Sequence, residues 1–233
     1  MSFWLSLTSV CLVMNLLLPS ALFPGRIQPS GPENRPLTAE EKRGGLGAAV
    51  LLELLADVTM SAEDFLDAEV LYRRTRDLYR VCGDCKCLAR CSTKLAIVLA
   101  EENKFSASKI ESEAALKYYS QLSSLEKDKG AVLHNLGWIA AQQGDIDEAC
   151  ARYLEAIRHY SLFKNDNLAA VLGALSERSL ARLYFQQKKY GMATEYYREC
   201  LTTLERKLKR HHSMTVEVRR EYTEALLRSK DSQ

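Results

Sequence analysis

Two patterns of hydrophobic and polar residues divide this chain. From Ser2 to Gly25 no side chain is charged, and apolar residues cluster as Phe3-Trp4-Leu5, Val10 to Met14 and Leu16 to Leu18. From about residue 44 to residue 228, apolar and charged residues are interleaved at helical spacing. Thr215 to Arg228 sets Val216, Val218, Tyr222, Leu226 and Leu227 against Arg219, Arg220, Glu221 and Glu224, which predicts a closing amphipathic helix. Between the two regions, Ile27 to Arg43 holds Pro29, Gly31, Pro32 and Pro36 without an apolar period and reads as a linker. All five prolines lie in the first 36 residues. Proline breaks helix interiors, so the proline-free remainder, rich in Leu, Ala, Glu, Lys and Arg, reads as helix after helix. Thr38 followed by Glu41 is a capping-box pattern that can start the first helix slightly ahead of Gly44.

A frame recurs inside the helical part. Its clearest copy has Leu136-Gly137, then Gly144-Asp145, then Ala149, Tyr153 and Ala156. A later copy has Leu180-Ala181, Tyr190, Ala193, Tyr197 and Cys200-Leu201. An earlier one has Leu95-Ala96, Phe105, Ser108, Ser112 and Ala115-Leu116, and the first has Leu55-Ala56, Phe65, Ala68 and Tyr72. The Leu-small pairs at 55, 95, 136 and 180 give spacings of 40, 41 and 44 residues. Two antiparallel helices approach closely where a small residue such as Gly137, Ala149 or Ala156 faces a large one such as Leu136 or Tyr153. Ser108, Ser112 and Glu177 depart from the frame and put the packing of the second copy in question.

These residues resemble the tetratricopeptide repeat, whose basic unit is about 34 residues. The resemblance implies an all-α fold: an α-solenoid of about four extended helix pairs plus a C-terminal capping helix, preceded by the hydrophobic N-terminal segment. Domain boundaries follow at 1–25, 26–43 and 44–233. Repeats this long resemble those of kinesin light chains, a family of cargo adaptors. The turn Gln143 to Ala149, the repeat end Tyr197 to Leu201 and a terminal helix also look like the mitochondrial tetratricopeptide assembly factor of respiratory complex III.

In this family the first helices of the pairs line a surface that binds other proteins. Carried over position by position, that surface holds Glu53 and Asp57, then Arg90, Lys94 and Ile97. It continues with His134, Asn135, Trp138 and Gln142, and ends with Arg178, Arg182, Phe185 and Gln186. The last three copies then form a cationic groove with an Asn and two aromatics, suited to an extended segment carrying acidic and apolar residues. The implied function is a non-enzymatic scaffold or adaptor whose partner is another protein.

Overall charge removes one class of partner. The 233 residues include 32 Lys and Arg against 30 Asp and Glu, a balance that gives no footprint for nucleic acid. The uncharged N-terminal run is long enough to span a bilayer at ~1.5 Å per helical residue. Arg26, Arg35, Lys42 and Arg43 follow it, which fits an uncleaved anchor holding the repeats on the cytosolic face. A secretory signal lacks its basic n-region here, and Pro19-Ser20-Ala21 is a poor cleavage site. A misassigned start or a buried helix also competes. The mitochondrial inner membrane is the alternative location, although no Arg-rich presequence is present.

The chain has seven cysteines. Cys82, Cys85, Cys87 and Cys91 are crowded enough to suggest zinc, an iron–sulfur cluster or a redox pair, although zinc ribbons need two separated pairs. Ordinary reduced thiols are the simpler reading and fit a reducing compartment. No cofactor is expected. No phosphate loop, zinc-protease helix or nucleophile elbow is present, and His159, His211 and His212 lack carboxylate or cysteine partners at useful spacing.

Overall fold

A computed structural model of the chain describes residues 38–122, 126–163 and 165–231. The expectations about residues 1–25 and most of the linker therefore lie outside the described residues. Nine helices and no strand occur among the described residues. They are α1 (Ala39–Ser61), α2 (Phe65–Cys82), α3 (Cys85–Glu101), α4 (Phe105–Ser120), α5 (Glu126–Gln142), α6 (Ile146–Ser161), α7 (Asn167–Gln186), α8 (Tyr190–Leu208) and α9 (Ser213–Asp231). Each helix packs on its chain neighbours, and α3, α5 and α7 touch in series. The result is an α-solenoid of four helix pairs closed by α9.

The helix starts are set by polar side chains. Thr38 and Glu41 form a full capping box, with the Glu41 N–H donating to Thr38 Oγ1 at 3.2 Å. The first helix thus begins at Ala39, ahead of residue 44. Asp64, Asp84, Asp145 and Asp166 each accept a backbone N–H of the following helix, satisfying donors that have no partner inside the helix.

The repeat is visible in the backbone itself. Each pair turns through one residue with positive φ: Glu63 (61°), Asn103 (60°), Gly144 (81°) and Lys188 (60°). The next N–H closes each turn onto a carbonyl five residues back, from Asp64 to Thr59, Lys104 to Leu99, Asp145 to Ala140 and Lys189 to Tyr184. These turns recur in the same register as the Leu-small pairs.

The cores follow the same register. Ala56, Ala96, Gly137 and Ala181 are buried opposite Ala68, Ser108, Ala149 and Ala193. A Cβ on Gly137 would meet the Tyr153 ring at 2.9 Å, so only glycine lets α5 and α6 come this close. The second copy keeps its packing despite its serines. Ser108 Oγ donates to the Ala96 carbonyl at 2.6 Å, whereas the buried Ser112 hydroxyl has no partner.

Candidate partner-binding face

The first helices α1, α3, α5 and α7, together with α9, bring the residues of the expected groove into one series. Its ends are built differently from its middle.

At the α1 end, Glu53 is buried. Its carboxylate accepts from Arg90 Nε and Nη2, both at 2.9 Å, from Lys94 Nζ at 3.0 Å and from the Tyr79 hydroxyl at 2.7 Å. Burial works against the charge on Glu53, but these donors outweigh it and hold the carboxyl down at about 2. Lys94 also reaches both oxygens of Asp57, at 2.7 and 2.8 Å. At the other end, Arg178 donates to Glu221 through Nε at 3.0 Å and Nη2 at 2.6 Å, and to Glu217 at 2.9 Å. Arg182 shares Glu221.

The cationic groove read from the sequence therefore needs correcting. Arg90, Lys94, Arg178 and Arg182 are all paired with carboxylates supplied by the two terminal first-face helices. His134 adds no charge near neutral pH. Burial lowers it to about 4, and its Nδ1 lies 2.9 Å from the Ser176 hydroxyl. Glu217 and Glu221 were the residues missed. They lie 39 and 43 residues beyond Arg178, which is the repeat spacing, so an opposite charge at that interval was the available signal.

The middle of the face is free. Asn135, Gln142 and Gln186 make no side-chain hydrogen bond or ion pair among the described residues. Trp138 is half-buried, with its ring edge-on to Phe105 at 5.9 Å. Phe185 is likewise half-buried, edge-on to Tyr190 at 5.3 Å. Arg182 occupies the repeat register of Trp138 and Ile97, and half of its side chain remains exposed.

Glu177 stands largely withdrawn from water where the frame places an apolar residue. Burial, then the neighbouring Glu199 charge, raises it to about 7, and its Oε2 is buried without a partner. His159, read as lacking a carboxylate, lies with Nδ1 2.8 Å from Glu126.

The cysteine quartet does not converge. The Cys82 thiol faces the Lys42 carbonyl at 3.7 Å, the Cys91 thiol donates to the Tyr72 carbonyl at 3.3 Å, and Cys85 is exposed. Burial pushes Cys91 to about 12 and raises Cys82 and Cys87, so these three remain thiols. Among the described residues, no group of three or more His, Cys, Asp or Glu side chains is placed to hold a metal. The metal reading loses its geometric basis, because Cys82 ends α2 while Cys85, Cys87 and Cys91 are spread around α3.

The sequence profile of the tetratricopeptide repeat matches residues 130–159 and 178–213, which covers most of the last two helix pairs. These are tetratricopeptide repeats. The first two pairs repeat the turn and core registers of the last two. No curated protein sequence matches the chain. Several solved structures share the fold. A putative kinesin light chain from Podosopora anserina with nearly identical TPR-like repeats superposes with a TM-score of 0.65 at 13% identity, covering 80% of this chain and 88% of that one. BtubC (BKLC) from P. vanneervenii gives 0.61 at 18%, covering 82% and 84%. A signal transduction ATPase with numerous domains and a tetratricopeptide repeat sensor, from Pyrococcus horikoshii, gives 0.62 at 18%. The match covers 79% of this chain but only 26% of that larger protein.

Proposed function

We propose that this tetratricopeptide-repeat protein is a non-enzymatic adaptor that holds an extended protein segment across α5 and α7. The observation that carries the reading is the unpaired Asn135, set between two ends whose charges are already satisfied. An amide side chain both donates and accepts, so it can pair with the N–H and C=O of an extended backbone. Trp138 and Phe185 offer apolar area beside it, the composition typical of interface centres. Arg182 is already shared with Glu221, so the partner segment is recognised by its backbone and its apolar residues. This differs from a general acidic ligand, since Arg90, Lys94 and Arg178 are already matched.

A photo-crosslinking residue at Gln142, compared with one at the exposed Arg158 on α6, tests this in the full chain. A discrete protein adduct from position 142 alone is expected. Equal products from both positions, or none from either, would reject the reading.

A further inference from the structure

The two ends of the repeat array are finished differently. The outer face of α9 interleaves the charged Arg219, Arg220 and Glu224 with exposed Val216 and Leu227, so charge interrupts its apolar residues at the end that closes the solenoid. The outer face of α1 is apolar, exposing Val50, Leu51, Leu54 and Val58. Glu53 and Asp57, on the adjacent face of α1, tie it to α3 through Arg90 and Lys94.

The repeat register shows what this apolar face is built for. Leu51 corresponds to Cys91, Val132 and Ser176, and Val58 to Val98, Ile139 and Leu183. Those six residues are at most 5% exposed, whereas Leu51 is 55% and Val58 64% exposed. In the later repeats, the second helix of the preceding pair does the covering. Cys91 bonds to Tyr72 of α2, Val132 packs with Ala115 and Tyr119 of α4, and Leu183 with Ala149 and Tyr153 of α6. No helix precedes α1 among the described residues to do the same.

We propose that this face seats the chain's own upstream stretch, Ser2 to Gly25, in the place of a preceding second helix. That stretch joins α1 in the order in which a preceding second helix would. It has 24 residues without a charged side chain, and the second helices of the array have 16 to 19. The 12 residues from Arg26 to Leu37 reach about 40 Å when extended, more than the ~35 Å length of α1. A covalent tether holds the two apolar surfaces at millimolar effective concentration. The same stretch read as a bilayer anchor would leave the α1 face uncovered, so the two roles exclude each other. The inference is independent of the partner-binding reading.

The test uses the full chain with a photo-crosslinking residue at Leu51 or at Val58, followed by mass-spectrometric mapping. Intramolecular adducts to residues 2–25 are expected. Adducts to lipid, to a second copy or to another protein would overturn the proposal, as would the absence of any adduct. A second measurement is the melting temperature of Leu51→Gln/Val58→Gln. A covered face predicts a fall of about 5 °C or more, and an unchanged melting temperature would contradict it.

Discussion

The Arg178 guanidinium grips the Glu221 carboxylate with two nitrogens, although 43 residues of sequence separate them. Their side chains are 12% and 15% exposed, so the pair is largely withdrawn from water. Removing one partner leaves a poorly solvated charge, so Arg178→Ala should lower unfolding stability by about 3 kcal/mol in urea titration. Arg182 is half-exposed, and Arg182→Ala should change stability by less than about 1 kcal/mol. Charge reversal at Arg178 therefore cannot separate binding from folding, whereas substitution of Arg182 can. Equal losses for the two variants would show that the closing helix is not pinned through Arg178.

Left-handed turn residues recur at 63, 103, 144 and 188, and only one is glycine. Gly144→Ala should lower stability by about 1 kcal/mol, because a Cβ is disfavoured at this φ. Lys188→Gly should cause no loss, in contrast to the ~1 kcal/mol that glycine costs inside a helix. Chemical denaturation of the two variants checks the pair. A clear loss in Lys188→Gly would mean that the turn is not the same in solution.

Glu177 and His134 give the stability two opposed pH slopes. The Glu177 carboxyl is raised from 4.5 to about 7. Between those values the folded state holds a proton that the unfolded state releases, so this contribution falls as pH rises, by about 3 kcal/mol in all. His134 is lowered from 6.5 to about 4. There the unfolded state takes the proton first, so its contribution is lost as pH falls across that window, by a similar amount. The stability gain of Glu177→Gln over wild type should therefore grow from near zero at pH 4.5 to its full size above pH 7. Thermal melts across that range measure it, and a difference independent of pH would contradict the buried, unpaired carboxyl.

The fold was legible because its determinants are local and periodic. Leu136-Gly137 against Tyr153 is a packing requirement that the sequence states directly, and the structure repeats it at the same interval. The turns were less legible, since Glu63, Asn103 and Lys188 adopt a glycine-like conformation without glycine. The candidate face was half legible. Asn135, Trp138 and Gln142 are where the register puts them. The charge state of the groove was not legible, because the neutralising partners of Arg90, Lys94, Arg178 and Arg182 sit one repeat away. Reading Thr215 to Arg228 only as a closing amphipathic helix hid the fact that Glu217 and Glu221 continue the first-helix series. The cysteine cluster misled for a related reason: proximity in sequence along a helix spreads side chains around its axis.

The central claim is that the middle of the first-helix face, and not its charged ends, binds the partner. The direct measurement is the affinity of the full chain for fluorescent peptides selected on it from a random library, compared with that of Asn135→Ala/Trp138→Ala. The account predicts at least a tenfold loss of affinity, about 1.4 kcal/mol, with helical content by circular dichroism unchanged. Undiminished binding by that variant would contradict it.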